Sequence, residues 1–174
     1  MANAGVPMIF LVMPALALSI IPIIAIEAMY LSKKLRLPFS TSLGTTTISN
    51  LVSTVIGVPL TWLLLLLIQI IAGGSGAFGL DTTTGKVLSV TLQAAWLIPY
   101  ESDLYWMIPS AGALLLIPFF FISWWSEFYV SMKLLKEQAS QRLKIAVRNA
   151  NILTYTLLAI WPIGFWILNN PNTQ

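Results

Sequence analysis

The chain has 174 residues, of which 57% are hydrophobic and 9% charged, with a formal net charge of +3. Soluble domains carry about 25% charged residues, so this composition excludes an ordinary water-soluble fold. Cysteine and histidine are both absent, which excludes disulfides, thiol catalysis, the usual zinc sites and histidine-ligated haem.

The first element is an apolar run near 7–31. It exceeds the roughly 18 to 20 residues needed to cross a ~30 Å hydrocarbon core. No basic residue precedes it, and it is longer than the core of a signal peptide, so a retained membrane helix is expected. The run holds one acid, Glu27, six residues before Lys33. That is about 9 Å along a helix axis, which puts the carboxyl near the end of the span that meets Lys33, Lys34 and Arg36.

A second span is expected over 47–72, where "PLTWLLLLLIQIIA" is apolar on all sides. Membrane strands alternate apolar and polar residues, so a helix is the reading. Asn50 enters this span at the depth of Glu27, and a Glu27–Asn50 hydrogen bond would account for both. Ser49, Ser53, Gly57 and Thr61 recur at every fourth position and predict a shallow ridge for close helix packing. Leu63 to Leu67 suit lipid.

"GGSGAFG" at 73–79 has the glycine spacing of dinucleotide-binding loops. That motif needs a preceding strand, and here the glycines follow a helix, so they read as its terminator. Within the outer loop, 73–107, the apolar stretch near 87–98 is too short to span. It is expected to lie in the interface or re-enter the membrane, anchored by Trp96 and Tyr100. Tyr105 and Trp106 extend that aromatic belt.

The third span is expected over 108–132 and carries the second acid, Glu127, within an aromatic surface of Trp124, Trp125, Phe128 and Tyr129. The fourth is expected over 149–168. Arg148 and Asn149 open it, and an ion pair with Glu127 is the economical reading. Asn151 follows two residues later.

Eight of the nine basic residues fall between the first and second spans or between the third and fourth. The positive-inside rule makes both loops cytoplasmic and both termini non-cytoplasmic. Glu27, Lys33 and Leu35 stand 100 positions before Glu127, Lys133 and Leu135, and Asn50 with Ser53 stands 101 before Asn151 with Thr154. These matches suggest two parallel helical-hairpin repeats related about an axis along the membrane normal. The expected fold is thus an all-α polytopic membrane protein: four transmembrane helices in one membrane domain, 1–174.

The hairpin "IPIIAIEAMYLSKKL…SNLVSTVIGVPLTWLL" resembles small uncharacterised prokaryotic four-helix membrane proteins, cyanobacterial ones especially. The resemblance covers residues 20 to 66 and implies a thylakoid or plasma membrane setting. It brings no activity with it.

For function, the residues offer no metal-ligand set and no nucleophile–base pair, so an enzyme is not expected. The first expectation is a non-enzymatic accessory or assembly subunit packed against a larger membrane complex, photosynthetic or respiratory. The alternative is a small oligomeric transporter or channel using Glu27 and Glu127, with Asn50 and Asn151 beside them. Side chains that converge on one wet cavity would favour transport, whereas side chains that bond within their own hairpins would favour a structural lock, and a dry, paired arrangement would count against transport. The expected partners are the bilayer and other membrane subunits. No cofactor is required, though aromatic faces of this kind suit chlorophyll, carotenoid or lipid. Two short basic loops offer too little surface for nucleic acid.

Overall fold

The computed structural model describes residues 6–73, 81–92 and 104–169. Among them it is all helical: α1 (Val6–Leu35), α2 (Phe39–Gly73), α3 (Thr83–Leu92), α4 (Leu104–Leu134) and α5 (Ser140–Asn169). Three stretches, Phe39–Ile71, Pro109–Leu134 and Ser140–Leu168, are long and apolar enough to cross a membrane. The span expected at 7–31 falls on α1, a helix of 30 residues, and its crossing is not shown. Trp96, Tyr100 and the glycine run after Gly73 lie outside the described residues. So does most of the expected interfacial segment, of which α3 is the described part.

All four long helices extend beyond the apolar runs, because polar residues continue them into the basic loops. The "FSTSLGTTTISN" start of α2 has weak helix formers, yet its hydroxyls bond back into the helix. Thr45, Thr46 and Thr47 donate to the carbonyls of Thr41, Ser42 and Leu43, at 2.9, 3.0 and 2.7 Å. Such back-bonding satisfies hydroxyls where no water reaches, as at the buried Thr45, Thr46 and Ser49, whereas the buried Ser42 Oγ has no partner among the described residues.

The turn between α1 and α2 is set by Arg36, whose φ of 56° is left-handed. Leu37 N–H donates to Ser32 O at 3.1 Å, the six-to-one bond of a Schellman cap. Ser32 Oγ returns a bond to Leu37 O at 2.8 Å. Pro38 then stops the chain from continuing as helix, and α2 begins one residue later. Two residues of turn and one proline therefore reverse the chain.

The chain divides into two compact units. One comprises Leu16–Val58 and Phe119–Leu158 and contains both basic loops. Its apolar core is Leu31, Leu35, Leu135, Leu143, Ala146, Val147 and Ala150, with Trp124 and Phe128 packed against it. The aromatic surface expected on α4 is thus divided. Trp124 and Phe128 turn toward this core, while Trp125 and Tyr129 are exposed, because each pair shares a helix face at four-residue spacing. In this unit Arg142 Nη2 also donates to Lys34 O at 3.0 Å, tying the start of α5 to the last turn of α1.

The other unit comprises Met1–Ala15, Pro59–Pro118 and Ala159–Gln174. Among the described residues, Leu65, Val90, Leu92, Met107, Ala111 and Leu115 are its buried apolar ones. Leu65 departs from the lipid-facing set expected at 63–67: it lies four residues after the buried Thr61 and shares its face, whereas Leu63 and Leu67 are exposed.

Candidate functional site: a buried carboxyl pair

The helix periods that build the apolar core also bring the acids together. On α1, Glu27 lies one turn before Leu31 and two before Leu35, so it points the same way. On α5, Asn151 continues the face of Leu143 and Val147. Both glutamates are almost fully buried, at 2% exposure for Glu27 and 3% for Glu127.

Four side chains donate to the four carboxylate oxygens. Asn50 Nδ2 reaches Glu27 Oε2 at 2.7 Å, and Asn151 Nδ2 reaches Glu127 Oε2 at 2.7 Å. These bonds stay inside each hairpin. The other two cross over. Thr154 Oγ1 on α5 donates to Glu27 Oε1 at 2.9 Å, and Ser53 Oγ on α2 donates to Glu127 Oε1 at 3.2 Å. Each glutamate therefore takes an amide from its own hairpin and a hydroxyl from the other. The donors to the two acids sit one turn apart on α2 (Asn50 and Ser53) and on α5 (Asn151 and Thr154), so both carboxyl groups belong to one buried cluster.

The supporting bonds repeat in the same pattern. Asn50 Nδ2 also donates to Thr46 O at 3.0 Å and Asn151 Nδ2 to Val147 O at 3.2 Å, each fixing its amide against the preceding turn. Ser53 and Thr154 lie near the carbonyls of Asn50 and Asn151, at 3.0 and 3.2 Å. One acceptor is left over: Asn151 Oδ1 is buried without a partner.

Asn50 takes the place beside Glu27 that the sequence suggests. The ion pair expected for Glu127 does not form. Arg148 is exposed and faces Asn149 Oδ1, at 3.4 Å from Nε. The reason is angular: Asn151 lies four residues after the buried Val147 and shares its face, whereas Arg148, next to Val147, is turned about 100° from it. Ser49, Ser53, Gly57 and Thr61 are all buried, and a Cβ on Gly57 would meet Ile122 of α4 at 3.6 Å. Thr154 entered the sequence reading only as the repeat mate of Ser53, and Tyr155, which bonds Ser123 rather than either acid, did not enter it. Thr154 was legible, since the 101-position offset maps Ser53 onto it. Tyr155, whose hydroxyl lies 2.8 Å from Ser123 Oγ, had no signal beyond its place one turn after Asn151.

Chemically, the site is two buried carboxyl groups with amide and hydroxyl donors and no basic side chain among their bonded partners. Comparison with known protein families, with curated proteins and with solved structures finds no match.

Proposed function

We propose that this chain is a small membrane transporter subunit that loads and releases a proton at the Glu27–Glu127 pair. The observation that carries this reading is the pairing itself. Two carboxylates held in one buried cluster repel, and more strongly where the dielectric is low. A hairpin lock needs two acceptor oxygens from its own acid, but nothing in it calls for the acids of both hairpins to share one buried cluster. Bringing both acids to one point is costly unless something positive is shared between them, and ionisable groups inside spans are functional candidates for that reason.

A proton suits the pair better than a metal ion. Every carboxylate oxygen already accepts one side-chain hydrogen bond. A calcium ion needs about 6 to 8 oxygen ligands, whereas one proton needs a single free lone pair. The cluster is buried and each acid is bonded within its own hairpin, which argues against an open channel, so transport requires a carrier that opens to exchange its proton.

The wider setting belongs to the same proposal: four spans with α1 as the first, both basic loops cytoplasmic, and a prokaryotic plasma or thylakoid membrane. The charge distribution supports the sidedness, and the resemblance of the first hairpin supports the membrane. Reconstitution into liposomes under an imposed pH gradient tests the transport reading. Wild-type protein should speed proton entry over empty vesicles, and Glu27→Gln or Glu127→Gln should each remove the gain. Equal flux in wild type and both variants would overturn it.

The accessory-subunit reading draws on a different observation. Phe121, Trp125 and Tyr129 form an exposed aromatic row on one face of α4, large enough to seat a partner's helix. Migration only as a monomer or small homo-oligomer, in mild detergent at native expression, would count against it.

A further inference from the structure

A groove of about 290 Å³ opens between α2 and α4, lined by Val52 and Ile56 from one helix and Ser126, Tyr129, Val130, Lys133 and Leu134 from the other. We infer that this groove binds one acyl chain of an anionic phospholipid, with Lys133 holding the headgroup phosphate. The inference does not depend on the carboxyl pair.

Three features fit this occupant. The walls are aliphatic and aromatic, and Ser126, the one neutral hydroxyl apart from Tyr129, donates into its own helix at Ile122 O, 2.7 Å away. No carboxylate lines the groove, so Lys133 has no acid there. Its Nζ sits 4.5 Å from the centre of the Tyr129 ring, which positions the ammonium without neutralising it. Finally, Lys133 stands in the last turn of α4, and Ser126 to Leu134 extends about 12 Å along the axis. An ammonium at the helix end with an apolar trough running inward has the shape of a phospholipid entering from the headgroup layer.

The volume limits the alternatives. Pockets that enclose drug-sized ligands run from roughly 300 to 1,000 Å³, so the groove is too small for a chlorophyll macrocycle and suits one flexible chain. Basic side chains between membrane helices on the cytoplasmic side are a recurrent way to hold acidic headgroups.

Native mass spectrometry of the intact protein, titrated with phosphatidylglycerol or phosphatidylcholine, tests the site. Wild type should retain one phosphatidylglycerol with roughly fivefold preference, the scale of one favourable lysine at the membrane surface. Lys133→Gln should abolish the preference and Lys133→Arg should keep it. Val130→Trp, which fills the trough, should lower retention of both lipids. Lys136→Gln, a basic-loop change outside the groove, should leave the preference intact, and free glycerol phosphate should not compete. Equal retention of the two lipids by wild type, or an equal loss in Lys136→Gln, would overturn the inference in favour of diffuse surface charge. If Val130→Trp fails to fold, Ile56→Trp tests the same trough from the other wall.

Discussion

Thr154 on α5 donates its hydroxyl to Glu27 on α1 across 127 positions of chain, at 2.9 Å. Ser53 does the same for Glu127 at 3.2 Å. These two bonds join the hairpins through their acids, so neither half can satisfy its own glutamate alone. Hydrogen bonds between membrane helices contribute about 0.6 kcal/mol on average and up to ~2. Thr154→Val, which keeps the shape and removes the donor, should cost about 1 kcal/mol or more. Ser53→Ala should cost less, since its bond is longer and its hydroxyl lies closer, at 3.0 Å, to Asn50 O. Thermal unfolding in detergent measures both. Equal and negligible losses would mean the crossed bonds do not hold the hairpins together.

Arg36 offers a test of the turn. A non-glycine residue at positive φ costs roughly 1 to 2 kcal/mol, and here it occupies the position where glycine usually ends a helix. Arg36→Gly should therefore raise the unfolding temperature. Arg36→Val should lower it, because a β-branched side chain is poorly tolerated there. If glycine proves destabilising in the same melt, Arg36 is held by a contact of its own.

Gly57 separates close packing from mere smallness. An added methyl would meet Ile122 at 3.6 Å, an ordinary contact distance. Gly57→Ala should therefore be neutral, or stabilising by roughly 0.5 to 1 kcal/mol through lower chain entropy. Gly57→Leu should cost about 1 to 3 kcal/mol by overpacking against α4. Equal tolerance of alanine and leucine in chemical denaturation would show that α4 yields easily at this point.

Sequence patterns were most informative where one physical constraint acts alone. A run of twenty apolar residues has few folded options in a membrane, so the positions of the long helices were legible. Their ends were not, because the continuation of α2 through Ser40 to Thr47 depends on hydroxyls bonding back to carbonyls, and residue preference alone argues against it. The same split divides the site. Glu27 and Asn50 flank one short turn, and their shared depth follows from counting residues. The partner of Glu127 depended on which residue at the start of α5 faces inward, and charge pointed to Arg148 where helix phase chose Asn151. That the acids meet each other is a relation between two hairpins, and only the weak internal repeat hinted at it.

The glutamates themselves supply the sharpest test. Glu27→Leu should cost about 1 to 3 kcal/mol, because it leaves one Nδ2 hydrogen of Asn50 unpaired in a buried site, while Thr154 Oγ1 falls back on the Ala150 and Asn151 carbonyls at 3.2 Å. Glu27→Gln can still accept from Thr154, but its amide then confronts the amide of Asn50. That conflict is offset by removal of the repulsion between the two acids, so stability should stay within about 1 kcal/mol of wild type. Glu127→Gln should behave alike, because Asn151 and Ser53 occupy the equivalent places. Infrared spectra provide the second readout: a shared proton gives a protonated-carboxyl band at neutral pH, and either Gln variant should displace or remove it. Two Gln variants that are as unstable as Glu27→Leu would indicate a structural lock. Two stable variants with the band unchanged would show that the proton is not held between these residues.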